Sequence, residues 1–274
     1  TKYKIPWIAD LRDLWSQNHN YSYGPIRRLM DRRLELKTLS KADALTTISE
    51  PWAEKLRILH KGKPVYMITH GFDPAEVNIP PAKLTAKFTI TYTGTTYTAH
   101  DPSKFFSALR DLIANGTLDP DEIEVRFFGT ETGWLGKEIE QHELSNIVKQ
   151  YGRVPRNIAV EKQRESHLLL RFKWEDPQEV GSLSQKMFEY LGARRPILAT
   201  GGTYDMVNTI LEETKAGTST LTIEDTKNIL VELYEEYKLK GEVVYKGEES
   251  KVNKYTHREM ARAFSETLDH LSEG

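Results

Sequence analysis

The sequence predicts an α/β protein with parallel sheets, folded as two lobes. Three observations predict it. Apolar and β-branched runs of four to six residues alternate with amphipathic segments of ten or more. The most apolar run, residues 167–172, centres on Leu168-Leu169-Leu170, as a strand covered on both faces should. The alternation is broken once, at residues 78–86, where Pro80 and Pro81 sit in a stretch of low apolar content that reads as a linker. Strands alternating with helices imply parallel sheets with helices on their faces.

The elements follow in order. Residues 5–9 read as a strand that ends in the polar cluster Asp10-Leu11-Arg12-Asp13. A helix is expected over 25–41, with Pro25 suited to its first turn and Ile26, Leu29, Met30, Leu36 and Leu39 as a rough apolar stripe. A short strand over 44–48 leads to Ser49, an N-cap candidate for a helix over 51–60. Another short strand covers 64–68, and Gly71-Phe72-Asp73-Pro74 is a turn. Beyond the linker, strands are expected over 88–93, 123–128, 167–172 and 196–199. Helices are expected over 102–114, 134–149, 184–193, 203–214, 223–239 and 255–271.

Composition sets limits. The chain has 274 residues, 38% hydrophobic and 28% charged, with no cysteine. No disulfide, thiolate metal site or cysteine nucleophile is therefore available. No run of about 18 apolar residues exists to span a membrane. The net charge of −2 does not suit a nucleic-acid binder. The eight histidines are scattered, without a His-Glu-x-x-His motif and without an Asp-x-Asp motif at a strand end, so no metal site is expected. Residues 1–77 hold 13 Lys/Arg against 9 Asp/Glu, and the excess clusters at Arg27, Arg28, Arg32, Arg33, Lys37 and Lys41. Such a helix either presents an ordinary solvated face or attracts an anionic membrane surface or a phosphorylated acceptor.

In open parallel sheets, ligands bind at the carboxyl ends of strands. That rule selects Thr93-Gly94-Thr95-Thr96, Gly129-Thr130, Lys173 to Ser184 and Thr200-Gly201-Gly202. The most informative segment runs from Gly181 through Ser182 and Ser184 into a helix bearing Lys186 and Glu189. Free N–H groups at a helix start attract anions. Lys186 and Glu189 are three apart and share a face, which spacing alone reads as a surface ion pair worth a few tenths of a kcal/mol. The Asp10, Arg12 and Asp13 cluster ends a strand and is either solvated or faces a cleft.

Lys186-Met187-Phe188-Glu189-Tyr190-Leu191 and the following Arg195-Pro196-Ile197-Leu198 resemble the hallmark segment of family-four retaining glycosyltransferases, of the two-Rossmann GT-B fold. Arg12-Asp13-Leu14-Trp15 is similar to an element of bacterial surface-polysaccharide members. Residues 42–49, His70-Gly71-Phe72-Asp73, Tyr92-Thr93-Gly94-Thr95 and Gly152-Arg153-Val154 resemble further elements of that family, in the same order. The resemblance implies an N-terminal acceptor-side lobe over 1–80, its earlier part missing. It implies a nucleotide-sugar lobe over 81–254 and a C-terminal helix over 255–274 packing back on the first lobe. It gives Glu189 the ribose hydroxyls, Arg153 and Val154 the base, and Gly181 through Lys186 the sugar and diphosphate, with Gly94 and Thr95 beside them.

The resemblance also implies retaining, metal-independent transfer of a sugar from a nucleoside diphosphate to a saccharide or lipid-linked acceptor, with no cofactor beyond that co-substrate. The setting is polysaccharide synthesis in the cytoplasm or at the inner membrane face. Departures from the pattern are informative. The family's second glutamate, eight residues before the first, is Gly181 here, and Glu179 is out of register. The family's basic pair after the first glycine of the second lobe is replaced by Thr95 and His100, leaving Lys186, Lys173 or Arg171 to supply charge. An epimerase drawing on Asp10, Asp13 or Glu179, and a non-catalytic binding module, stay open as alternatives.

Overall fold

The computed structural model describes residues 5–21, 23–76 and 82–273, and its strands form two parallel sheets. Residues 78–81 of the expected linker, including Pro80 and Pro81, lie outside the described residues. The first sheet runs β1 (Ile8–Leu11), β2 (Ala44–Thr47), β3 (Val65–Met67), joined by α1 (Pro25–Leu39) and α2 (Glu50–Leu59). The second has six strands: β4 (Phe88–Thr93), β5 (Ile123–Phe128), β6 (Val148–Gln150), β7 (Leu168–Phe172), β8 (Ile197–Thr200) and β9 (Gly217–Thr220). Its connecting helices are α3 (Ser103–Ala114), α4 (Gly133–Gln141), α5 (Arg156–Arg164), α6 (Gln185–Ala193) and α7 (Met206–Thr214). After β9 come α8 (Ile223–Lys240), the short α9 (Glu249–Val252) and α10 (His257–Glu273).

The spatial order β6-β5-β4-β7-β8-β9 places a switch point between β4 and β7. Chains leave that point in opposite directions, so a crevice opens beyond the strand ends. Here the crevice has a specific cause. The register of β4 on β7 covers only Ile90–Leu168 and Thr91–Leu169. Further along, Thr93 donates its N–H to Tyr190 Oη of α6 at 2.8 Å. A side chain has replaced the ladder, and the two strands part.

β4 alternates Phe88, Ile90 and Tyr92 with Thr89, Thr91 and Thr93, and all six are buried. The apolar set packs with Phe105, Phe106, Leu170, Phe172 and Leu230 under α3 and α8. The threonine set needs hydrogen bonds, since a buried hydroxyl without one is costly. Thr91 Oγ1 accepts from Ser166 Oγ at 2.7 Å and from Arg126 Nε at 3.2 Å, and Thr93 Oγ1 accepts from Gln163 Nε2 at 2.8 Å. Helix α5 supplies Gln163, so it covers the sheet with a polar face. That explains why no apolar stripe marks residues 156–164 and why the sequence predicts no helix there.

The second core joins the lobes. Trp52, Leu56, Leu45 and Phe72 of the first lobe cluster with Leu183, Met187, Phe188 and Leu191 on and beside α6. Each such side chain contributes roughly 1.5–3 kcal/mol when fully buried. Gln185 Nε2 donates to Gly71 O at 2.7 Å across the same junction. The chain's end also returns to the first lobe: His257 N donates to Phe72 O at 2.8 Å, and Phe72 N to Tyr255 O at 3.0 Å.

Several expectations need correction. The helix expected over 134–149 ends at Gln141, and Glu143 adopts φ +60°. Leu144, Ile147 and Val148 imitate a continuing helical stripe but bury themselves around edge strand β6. β9, Gly-Thr-Ser-Thr, is an edge strand without an apolar run and leaves no sequence signal. The first strand lies at 8–11 rather than 5–9, so Asp10 belongs to the sheet. Ser49 stands at the N-cap of α2 without making a side-chain cap; its buried Oγ has no partner and faces Gly181 instead.

Tyr190→Phe would leave the buried Thr93 N–H without its acceptor. Urea unfolding of this variant is expected to show a loss of about 1–3 kcal/mol, and an unchanged stability would remove this explanation of the crevice.

Candidate functional site

Two cavities adjoin at the crevice. The first, about 330 Å³, is lined by Thr93, Gly94 and Thr95 after β4, Phe128 to Thr130 after β5, Arg153, Val154 and Ala159, and Lys186 and Glu189 of α6. The second, about 490 Å³, lies between the lobes. Its wall is Arg12, Asp13, Trp52 and His70 from the first lobe, and Tyr97, His100, Arg171, Trp174 and residues 182–185 from the second. Thr95 and Lys186 line both cavities, so the two form one continuous depression.

The first cavity follows from how α6 is placed. Met187, Phe188, Tyr190 and Leu191 take its buried side, which turns Lys186 and Glu189, one turn apart, toward the strand ends. Gly94 has φ +105°, a conformation that glycine adopts without strain. A Cβ there would lie 2.9 Å from Lys186 Cε, so glycine also lets the lysine pass. Lys186 Nζ sits 3.6 Å above the centre of the Tyr92 ring, a cation–π contact. It has no hydrogen bond or ion pair with any other described residue. Burial, then the nearby Arg171, push its pKa well below the usual lysine range, with Glu189 acting in the opposite direction.

Glu189 Oε1 accepts a 2.6 Å ion-paired hydrogen bond from Arg156 Nη1 of α5. The Glu189 side chain is 20% exposed, at the rim of the cavity. Arg153 Nε donates to Thr130 Oγ1 at 3.0 Å, which fixes the floor between β5 and β6. The sequence-predicted Gly94, Thr95, Arg153, Val154, Lys186 and Glu189 therefore converge on one cavity. Thr130, selected by the strand-end rule, lines the same cavity, whereas the sequence gives no site role to Arg156 or Tyr92. Arg156 sits on the helix that the sequence does not announce, and Tyr92 looks like an ordinary core residue.

Ser182, Ser184, Arg12 and Asp13 line the second cavity. Three predicted residues do not line either one. Asp10 accepts from Thr46 Oγ1 and from Arg12 Nε, both at 2.7 Å, so its carboxylate is committed within the first sheet. Lys173 is buried and turned away, donating to Thr203 O at 2.6 Å and Asn208 Oδ1 at 2.7 Å, with Asp205 at 3.8 Å. Burial lowers its pKa. It ties the end of β7 to the start of α7 rather than offering charge to a ligand. Gly181 packs on Trp52: a Cβ would stand 2.3 Å from Trp52 Cδ1. A glutamate at this position has no room, because the first lobe's tryptophan occupies the space. Glu179 is buried and accepts from Asn20 Nδ2, with His19 Nε2 at 3.2 Å, so it bridges the lobes.

The second cavity is rich in hydrogen-bond donors. Arg171, on the α6 side of β7, is 2% exposed, and its Nε has no partner. His100 is buried with both ring nitrogens unpartnered, edge-on to Trp174 at 4.7 Å between ring centres. Burial, with Arg171 and Lys186 adding repulsion, pushes the His100 pKa down to about 3, so the ring is neutral near pH 7. His70 is lowered as well, by burial and then Arg12. Among the described residues no cluster of His, Asp and Glu is arranged to hold a metal ion.

No family model matches the sequence, and no curated protein matches it. Solved structures do resemble it. HepE from Anabaena, in a complex with UDP and glucose, superposes with a TM-score of 0.72 at 14% identity over 97% of this chain and 72% of that one. Staphylococcus aureus TarM, in a complex with fondaparinux, alpha-GlcNAc-glycerol and UDP, gives 0.68 at 11% identity over 96% of this chain. A glycosyltransferase from Rickettsia africae gives 0.69 at 12% identity, covering 97% of this chain and 71% of that one. The chain spans about half the length of TarM, 50%. These likenesses establish the fold: α/β, with parallel sheets, of the GT-B kind.

A bound anion would raise the Lys186 pKa from its lowered value, so binding should take up a proton. Affinity should then fall as pH rises from the free toward the bound pKa. Calorimetric titration of pyrophosphate across pH should show this fall in the wild type and its absence in Lys186→Met. Parallel pH profiles of the two would refute the linkage.

Proposed function

We propose that this chain binds a nucleoside-diphosphate sugar in the first cavity and transfers the sugar to an acceptor entering between the lobes. The observation that carries this reading is the convergence of Lys186 and Glu189 with Gly94, Thr95, Arg153 and Val154 at the strand ends. The fold neighbours add support: structures of HepE and TarM hold UDP, and that of HepE also holds glucose. Glu189 would accept two hydrogen bonds from the ribose diol, exchanging its Arg156 contact for part of that role. Arg153 and Val154 would meet the base. The Gly94-Thr95 backbone, Lys186 and the amide end of α6 would hold the diphosphate.

The transfer is retaining and metal-independent in this reading. The departing phosphate itself assists the acceptor hydroxyl, and the protein contributes positioning and positive charge where phosphate charge develops. Arg12 and Asp13, which line the second cavity, would orient the acceptor, a saccharide or lipid-linked saccharide in glycan assembly. Residues 1–80 then form the acceptor-side lobe, 81–254 the donor lobe, and 255–274 the returning helix. No described helix is long and apolar enough to cross a membrane. Helix α1 exposes Ile26, Leu29, Met30 and Leu34 beside Arg27, Arg28, Arg32 and Arg33, and peripheral contact with an anionic inner membrane face fits that combination. The epimerase alternative weakens, since of Asp10, Asp13 and Glu179 only Asp13 lines the cleft.

A thermal-shift panel of UDP, GDP, ADP, CMP and their sugars tests the reading on wild type and Glu189→Ala. A nucleotide at about 100 times its dissociation constant should add roughly 2.7 kcal/mol. Its effect should be largely lost in Glu189→Ala. If no nucleotide shifts the folded wild type, the donor-site reading fails. If a nucleotide binds and no sugar is ever transferred, the chain is a binding module.

A further inference from the structure

Arg171 poses a problem that the first cavity does not solve. A guanidinium is charged at any physiological pH, and an unpaired buried charge is strongly destabilising. Arg171 is 2% exposed and has neither a hydrogen bond nor an ion pair with any described residue. Asp205, whose carboxyl it influences, lies beside Lys173 instead, 3.8 Å from that ammonium. Arg171 lines the second cavity and not the first. The one anionic side chain among the residues lining the second cavity is Asp13, against Arg12, Arg171 and Lys186. Arg12 is already ion-paired with Asp10 at 2.7 Å. His100, neutral near pH 7 and with both ring nitrogens unpartnered, is buried in the same wall.

The lining of the two cavities assigns their contents in sequence. This step rests on the nucleotide-sugar reading above. With the nucleoside in the first cavity, the diphosphate falls at the shared border of Thr95 and Lys186, and the sugar reaches into the second. A neutral hexose offers hydroxyls that both donate and accept hydrogen bonds, but no charge to compensate a buried guanidinium. Gly181 contributes no side chain to this wall, and Trp52 fills the space beside it. The wall offers instead the aromatic faces of Trp52 and Trp174, Lys186, and the unpaired Arg171 and His100.

The geometry points to a donor whose sugar carries a carboxylate, a hexuronic acid, with Arg171 as the partner of that carboxylate. The guanidinium fork matches a carboxylate with two parallel hydrogen bonds, and the ligand would supply the counter-charge that the protein lacks. Arg171 is thus a specificity-determining residue that touches the sugar, separate from the diphosphate contacts of Lys186.

The test is calorimetric titration without acceptor, comparing UDP, UDP-glucose and UDP-glucuronate, or GDP, GDP-mannose and GDP-mannuronate if the nucleotide screen selects guanine. Wild type should bind the acidic donor more tightly than the neutral one by about tenfold or more. Arg171→Gln should abolish that difference while leaving the nucleoside diphosphate unchanged, and Arg171→Lys should retain part of it. The melting temperature of free Arg171→Gln should equal or exceed that of wild type, since an unpaired charge has been removed; a marked drop would mean a structural role and would overturn the inference. Equal wild-type affinities for acidic and neutral donors would also overturn it, leaving the nucleotide site intact. So would an Arg171→Gln variant that weakens the diphosphate as much as the acidic donor, which would place Arg171 on phosphate. Absence of any nucleotide binding by folded wild type would remove the donor-site reading itself, and the inference with it.

Discussion

Helix α6 is the constraint on which the rest depends. Its buried face closes a core built from both lobes, and its opposite edge carries Lys186 and Glu189 into the crevice. Tyr190 on the same helix takes the N–H of Thr93 and so ends the pairing of β4 with β7. One nine-residue helix therefore joins the lobes, opens the crevice and furnishes it. Its position is fixed by side chains of high burial, which is why the two charged residues can be held at a defined place on a protein surface.

Charge in the crevice is arranged against its own solvation. Lys186 rests on an aromatic face, His100 is neutral, and Arg171 is enclosed without a counter-ion. In the reading proposed above, an arriving anion would compensate the enclosed charges of Lys186 and Arg171 and offer an acceptor to His100. Dense packing elsewhere offsets the local cost: Phe88, Tyr92, Phe105, Phe106 and Phe172 are all fully buried.

The alternation of elements was legible because most strands are apolar and most helices amphipathic. What was not legible is physically uniform. β9 and α5 lack an apolar stripe, since one is an edge strand and the other meets threonines through Gln163. β6 was hidden because Leu144, Ile147 and Val148 fall where a longer helix would place them. For the candidate site, Lys186 and Glu189 could be paired from spacing, and Gly94, Arg153 and Val154 from the rule of strand ends. Lys173 could not be separated from Arg171. They are two apart, Arg171 within β7 and Lys173 one residue past its end, yet Lys173 reaches Thr203 and Asn208 while Arg171 reaches the crevice. Sequence gives the face of a residue but not the partner its side chain reaches.

The contact of Trp52 with Gly181 has a consequence for how the molecule comes apart. A tryptophan of one lobe is seated where the other lobe has no side chain, and the surrounding core belongs to both. Neither lobe can lose its fold without exposing apolar surface of the other. Heat or denaturant should thus meet a single cooperative body rather than two that melt in turn.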